Sequence, residues 1–290
     1  MDFNSKKCLI CKGGKKNECL YWHKDPETNE VWAWCQGKCK RAYSLYEYCF
    51  LAGISLKDFL SSNLSFEEAR PLEVNAMSWP RSFHPLSDPI SRPGLDYLES
   101  RGLQSPGEMY YDSSREGIVF PYYLNNTFVG AQIRFIVPKI DENGGAWKIT
   151  TMPGTRLGYL FWGWSQQPFS TNVKYIVVAE GAINAASLQQ ALNKKFGNLL
   201  KNPYRCMSTS GASITKYHAE KLKELIDSGL KVIAAPDNDE AGIKMFERMA
   251  NEGACTHYAF VEEDGRDWND VLRKPDMDLA SYFASRLRKA

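Results

Sequence analysis

From residue 175 to residue 260 the chain alternates short apolar runs with longer amphipathic ones, and this rhythm restricts the fold more than any other feature. Residues 175–179 (YIVVA), 206–209, 231–235 (KVIAA) and 257–260 read as strands, and 184–192, 215–226 and 240–252 as helices. Strands alternating with helices imply a mainly parallel sheet covered on both faces. Such a sheet gathers ligands beyond the carboxyl ends of its strands.

The acidic residues fall at those ends. Glu180 follows the first strand, and Asp237 and Asp239 follow the third. Residues two apart in an extended segment point the same way, so Asp237 and Asp239 can present two carboxylates to one point. Glu180 joins them from a neighbouring strand end. Clustered oxygen donors suit Mg²⁺, with Mn²⁺ as a substitute. Gly181 is expected to let the backbone turn tightly after Glu180. Residues 265–270 (GRDWND) bring Asp267 and Asn269 to the same edge. Aspartates after strands also serve as helix N-caps. Three acidic clusters at one edge favour a site over three separate caps.

The first 49 residues hold Cys8, Cys11, Cys19, Cys35, Cys39 and Cys49 out of the chain's 8 cysteines. The start of the chain has no apolar leader, and no run is long enough to cross a bilayer, so a cytoplasmic, membrane-free protein is expected. Thiols stay reduced there, and paired cysteines suggest metal. Cys8 and Cys11 form one pair, Cys35 and Cys39 another, with aromatic strands at 20–23 and 31–34 between them. Together they supply four soft ligands for a structural Zn²⁺. Cys19 and His23 are alternative ligands, His23 chiefly in place of Cys39. Trp22, Trp32 and Trp34 can pack in this module or stack on bases. Lysines 6, 7, 12, 15 and 16 suit either phosphates or a solvated loop. The formal net charge is only +2, so any nucleic-acid binding must use local patches.

Residues 41–60 look helical, and 70–93, rich in proline and serine, read as a connection. A short helix closed by glycine is expected at 94–102. Strands follow at 118–123 and 128–137, joined by Asn125-Asn126, and at 147–151. Arg134 lies inside an apolar strand pattern, where a guanidinium needs an anionic partner. Lys139 suits either strand-edge charge or a ligand.

The motifs AEGAINA (179–185), APDNDEAG (235–242) and GRDWND resemble the toprim domain, shared by bacterial-type primases, topoisomerases, some nucleases and a recombination mediator. The resemblance covers about residues 172–275. It assigns catalysis to Glu180, Asp237, Asp239 and Asp267, the first three as Mg²⁺ ligands. Where the family usually has aspartate, four residues after the glutamate, this chain has Asn184. GLDYLESRGL (94–103), PYYLNNTFVGAQIRF (121–135) and WKITTMPG (147–154) resemble the strand-rich subdomain of phage and plasmid primases, where Arg134 and Lys148 take nucleotide- and template-binding places.

The order zinc ribbon, strand subdomain, toprim resembles bacteriophage-type DNA primases. It implies an α/β and α+β chain: a zinc ribbon at 1–60, a linker at 61–93, the N-terminal subdomain of an RNA-polymerase domain at 94–170, toprim at 171–275 and a tail at 276–290. It also implies RNA primer synthesis for DNA replication from ribonucleoside triphosphates on a single-stranded DNA template. No GxxxxGK[ST] loop is present, so a separate replicative helicase is implied, along with a DNA polymerase. The competing readings are a non-catalytic DNA-binding protein of the recombination-mediator type and a degenerate primase. A toprim nuclease would not need the cysteine ribbon, and a topoisomerase would need further domains.

Overall fold

The structure, a computed structural model, describes residues 8–11, 20–24, 31–35, 38–39, 41–52, 74–104, 108–140, 144–164, 172–197, 201–211 and 214–290. The chain divides into two compact units, Met1–Glu73 and Val74–Ala290. Among the described residues no helix is long and apolar enough to cross a membrane.

The first unit is a three-stranded antiparallel sheet, β1 (Leu20–Lys24), β2 (Val31–Cys35) and β3 (Arg41–Ser44), followed by α1 (Leu45–Ala52). The expected helix from residue 41 therefore begins as a strand. Arg41–Ser44 pair with β2, because sheet pairing overrides a weak helical pattern. The core is small: Leu20, Trp22, Ala33, Tyr43, Tyr48 and the buried cysteines. Trp22 and Tyr43 both meet the Tyr48 ring edge-on, at 5.1 and 5.8 Å. Trp22 is thus a packing residue. The side chains of Trp32 and His23, together with Cys19 and the N-terminal lysines, lie outside the described residues.

The second unit begins earlier than the sequence suggests. Residues 74–93, expected as part of a linker, belong to it. Trp79 packs against Phe83, Tyr110 and Phe128 with ring centroids 5.5, 4.7 and 4.9 Å apart. The short strand β4 (Phe83–Pro85) joins the sheet edge. A three-residue strand beside proline carries too little periodicity to read. Next come α2 (Arg92–Ser100), β5 (Tyr110–Asp112), β6 (Gly117–Leu124), β7 (Thr127–Ile140) and β8 (Ala146–Thr151). The strands form an antiparallel sheet in sequence order. Asn125 and Asn126 close the β6–β7 hairpin with φ of 49° and 63°, the left-handed pair that a tight two-residue turn needs.

The remainder runs β9 (Tyr175–Ala179), α3 (Ala182–Phe196), β10 (Tyr204–Ser208), α4 (Lys216–Asp227), β11 (Lys231–Ala234), α5 (Glu240–Asn251), β12 (His257–Tyr258), α6 (Trp268–Leu272), α7 (Leu279–Arg286) and β13 (Arg288–Lys289). The sheet order is β10-β9-β11-β12-β13, parallel except for β13. Residues 276–290 are therefore not a free tail. Leu279, Ala280 and Phe283 enter the core, and β13 completes the sheet.

β9 is central and buried on both sides. Val177 and Ala179 face one core with α3, α6 and α7, while Ile176 and Val178 face another with α4 and α5. Ile118, Phe120 and Tyr122 of β6 share the first core. The antiparallel sheet and the parallel sheet thus pack as one body. Trp268 is fully buried there, and its indole N–H donates to the Ala235 carbonyl at 3.0 Å. Trp268→Ala is expected to cost about 3–5 kcal/mol through the cavity and the lost bond. Chemical denaturation reads this as a lowered midpoint, and a change under about 1 kcal/mol would contradict the packing assigned here.

Candidate functional site

Four strand and helix junctions converge at the carboxyl edge of the parallel sheet. Glu180 follows β9 directly. Its backbone is fixed by the Ser208 hydroxyl, which donates to the Glu180 carbonyl at 2.6 Å. Its side chain is buried, and Oε1 accepts the backbone N–H of Asp237 at 3.0 Å. This bond ties the end of β9 to the loop after β11. It needs Gly242 on α5, where an added Cβ would stand 2.0 Å from the Asp237 carbonyl oxygen and 2.6 Å from Glu180 Oε1. Gly181 has no such role. Its φ of −101° is ordinary extended backbone, and an added Cβ would meet nothing within 4 Å. The chain turns into α3 there without a glycine's freedom, contrary to expectation.

Asp237 Oδ1 accepts from Asn184 Nδ2 at 2.6 Å. The Asn184 carbonyl oxygen accepts the Asn269 backbone N–H at 3.2 Å. Asn184 is a clamp between the β11 loop and α6, with both ends of its amide engaged. Asp239 is exposed and caps α5, its Oδ1 accepting the Gly242 N–H at 2.8 Å. Asp267 caps α6 in the same way through the Asp270 N–H at 2.8 Å. Caps and cluster are the same residues here, so the two readings of these aspartates are not exclusive.

Glu180, Asp237 and Asp267 line one cavity of about 190 Å³, and Asp239 stands outside its lining. Burial raises the Glu180 carboxyl, and the nearby charges of Asp239 and Asp267 add to it. Asp237 is pushed up to about 8 by burial and then by Glu180, Asp267 and Asp239, against the Asn184 bond. Asp267 is raised by burial, with the Arg101 guanidinium opposing. Carboxyls raised by burial and by neighbouring negative charge suit a dication, and an all-oxygen donor set suits Mg²⁺ or Mn²⁺.

The same cavity is also lined by two arginines. Arg134 and Ile149 come from β7 and β8, and Arg101 from the end of α2. Arg134 is half-buried, and its Nε donates to the Tyr97 hydroxyl at 2.8 Å rather than to a carboxylate. Arg101 Nε is buried without a hydrogen-bond partner among the described residues. A neighbouring cavity of about 330 Å³ is lined by Arg101, Arg134, Lys148 and Arg273. Lys148 is exposed, and Lys139 sits further out, with Nζ 5.6 Å from the Phe135 ring centre.

Sequence reading missed Arg101. Its place depends on long-range bonds: Asn269 Nδ2 donates to the Arg101 carbonyl at 2.7 Å, and Gln190 Nε2 to the Gly102 carbonyl at 2.8 Å. The motif RGL carried the only signal. Gln132 and Ser210 were missed as well. Gln132 Nε2 donates to the Ser210 carbonyl at 3.1 Å, and the Tyr122 and Ser210 hydroxyls are hydrogen-bonded.

In the first unit the sulfurs of Cys8, Cys11, Cys35 and Cys39 all lie within 4.8 Å of one another. Cys8–Cys39 and Cys11–Cys35 are each 3.7 Å apart. Tetrahedral Zn²⁺ with Zn–S bonds of about 2.3 Å would set its sulfurs about 3.8 Å apart, far beyond a disulfide's ~2.05 Å. The four cysteines could hold a metal ion, and two of their pairs stand at the spacing a zinc ion would set. Among the described residues no other group of three or more Cys, His, Asp or Glu gathers as closely.

Residues 177–272 match the Toprim-like family. No curated protein matches the chain. Among solved structures the fold is similar to a DnaG catalytic core, with 17% identity, a TM-score of 0.50, and 70% of this chain and 76% of that one covered. It is also similar to the RNA polymerase domain of Mycobacterium tuberculosis primase DnaG in complex with a double-stranded DNA oligomer bearing a 6-nucleotide overhang. There the identity is 13% and the TM-score 0.50, with 70% and 75% covered. At such identities the likeness is one of fold.

Gly242→Ala is expected to break the Asp237–Glu180 joint. Titration of the variant with Mg²⁺, followed by thermal melting, should show no stabilisation at concentrations that stabilise the parent chain. Equal stabilisation of both would remove Gly242 from the site.

A pH dependence follows from Asp237, whose folded pKa of about 8 exceeds the ordinary carboxylate value of about 3.9. The folded state binds that proton more tightly. Its contribution to stability is present below about pH 4 and is lost as pH rises to about 8. In chelator, the parent's denaturation midpoint should fall between about pH 5 and about pH 8, and Asp237→Asn should flatten that fall. An equal slope in both would contradict the assignment.

Proposed function

We propose that the chain is a DNA primase of the bacteriophage type, joining ribonucleotides into short RNA on a single-stranded DNA template. One observation carries this reading: a carboxylate cluster, the buried Glu180 with the half-buried Asp237 and Asp267, shares one small cavity with Arg101 and Arg134. Nucleotidyl transfer needs both halves. The 3′-hydroxyl of one ribonucleotide attacks the α-phosphate of the next, a P–O bond forms, and the bond to pyrophosphate breaks.

Arg134 and Arg101 would neutralise phosphate charge as it builds at the reacting end, with Lys148 serving the strand beyond. Glu180, Asp237 and Asp239 would hold Mg²⁺, which when bound lowers the pKa of the attacking hydroxyl and steadies the leaving charge. Asp267 would hold a further ion or the triphosphate-bound one. Asn184 keeps Asp237 oriented and adds no charge, so this cluster carries one carboxylate fewer than the usual toprim pattern. The four cysteines would hold Zn²⁺ and keep the first unit folded as the reader of the template start sequence. A helicase and a DNA polymerase would be the partners in replication.

The reading is tested by incubating the chain with Mg²⁺, labelled ribonucleoside triphosphates and a panel of single-stranded templates. Short RNA is expected, and Asp237→Asn should reduce its yield at least a hundredfold, on the order of one lost metal ligand. Template binding should survive that substitution. DNA binding without RNA on any template would favour the non-catalytic reading, for which the engaged amide of Asn184 is the supporting observation.

A further inference from the structure

Beyond the carboxylate cavity, β7 and β8 continue as a two-stranded ribbon. Its register sets Arg134 opposite Ile149 and Lys139 opposite Trp147, with an irregularity between the two pairs. Arg134 and Ile149 line the cavity. Trp147 lies two residues further along β8, about 7 Å at ~3.3 Å per residue. Here the ribbon leaves large apolar side chains in water: Val137 is 73% exposed, Ile140 67% and Trp147 51%. Large apolar side chains left this exposed on one short ribbon, Trp147 above all, point to a surface that binds something.

The indole is held in place, its ring meeting the buried Phe135 ring at 5.4 Å and 66°. Lys139 reaches the same Phe135 ring. The two strands carry Arg134, Lys139 and Lys148 and no carboxylate. Protein-binding patches are depleted in lysine at their centres, whereas here a lysine stands directly across from the tryptophan. A braced aromatic face between cations is the combination that binds a single nucleic-acid strand, the ring taking a base and the lysines the phosphates.

We infer that Trp147 is a stacking platform for one base of the single-stranded DNA template just outside the carboxylate cavity, with Lys139 and Lys148 on the neighbouring phosphates. This rests on the template-directed reading above and adds the residue that holds the strand flat as it enters.

The test titrates the full chain, Trp147→Ala, Trp147→Phe and Lys139→Ala into fluorescein-labelled oligothymidylate across a salt series, without nucleotides. Trp147→Ala should weaken binding about tenfold to a hundredfold, the range of one lost base stack, and Trp147→Phe should keep most of the affinity. The salt slope should be unchanged in Trp147→Ala and shallower by about one unit in Lys139→Ala. Melting curves check folding, and Trp147→Gln serves as a second non-aromatic variant if the alanine variant is unstable. Parental affinity in a folded non-aromatic variant, no single-strand binding by the parent, or an equal loss toward duplex DNA would each overturn the inference. So would an effect on RNA oligomers alone. Because binding is read without synthesis, a Trp147 effect in a chain that makes no RNA would retire the primase reading and leave the platform standing.

Discussion

The structure of the second unit depends on the two-sided burial of β9. Ile176, Val177, Val178 and Ala179 are all fully enclosed, alternate residues facing opposite cores. A strand buried on both faces can carry no ionised group along its length, because the desolvation has no offset there. The first place a carboxylate can stand is the residue after the strand, and Glu180 stands there. β11 obeys the same rule through Val232, Ile233 and Ala234, and its first carboxylate is Asp237. Since the strands are parallel neighbours, both acids emerge at one edge. The hydrophobic interior thus places the acidic cluster, and the Asp237 N–H to Glu180 bond then sets its spacing.

That edge was legible in the sequence because it follows from local pattern. YIVVA and KVIAA announce buried strands, and an acid after each is visible to any reader of the chain. The cysteine pairs were equally plain, since ligand spacing is a property of neighbouring residues. The four sulfurs meet because the β1–β2 hairpin brings Cys35 to them. What escaped was built from distant parts. The strand β4 is held by Trp79 against Tyr110 and Phe128, contacts that no window of residues around 83 contains. α7 and β13 are fixed by partners in α3 and β12, so their own short patterns read as a tail. Arg101 reaches the cavity because Asn269 and Gln190, each more than eighty positions away, grip the end of α2.

Gly181 and Gly242 show the limit of reading motifs by residue type. Both lie in toprim-like motifs within three residues of an acid. At 181 the backbone is extended and open, and nothing in the structure requires glycine. At 242 the helix passes so close to the Asp237 carbonyl and the Glu180 carboxylate that a single methyl group has no room. The difference lies in the third dimension, and only the packed structure separates them.

The cluster is costly for the fold that holds it. Burial lifts Glu180, Asp237 and Asp267, and nearby like charges add to it, Asp270 in the case of Asp267. Asn184 gives Asp237 one hydrogen bond, Arg101 opposes at Asp267, and two of the four acids double as helix caps. Those caps explain how Asp239 and Asp267 persist as folded-state residues whatever else they do, since each satisfies a helix N-terminus. They do not account for Glu180 and Asp237, which cap nothing. A buried Glu180 bonded to the backbone of the half-buried Asp237, with a clamp that adds orientation without charge, is an arrangement whose stability improves when positive charge enters the cavity. Among the described residues neither arginine hydrogen-bonds these carboxylates: Arg134 donates to Tyr97, and Arg101 Nε has no partner. The carboxylates are therefore left for a cation and the guanidiniums for an anion, and both meet in a space of about 190 Å³.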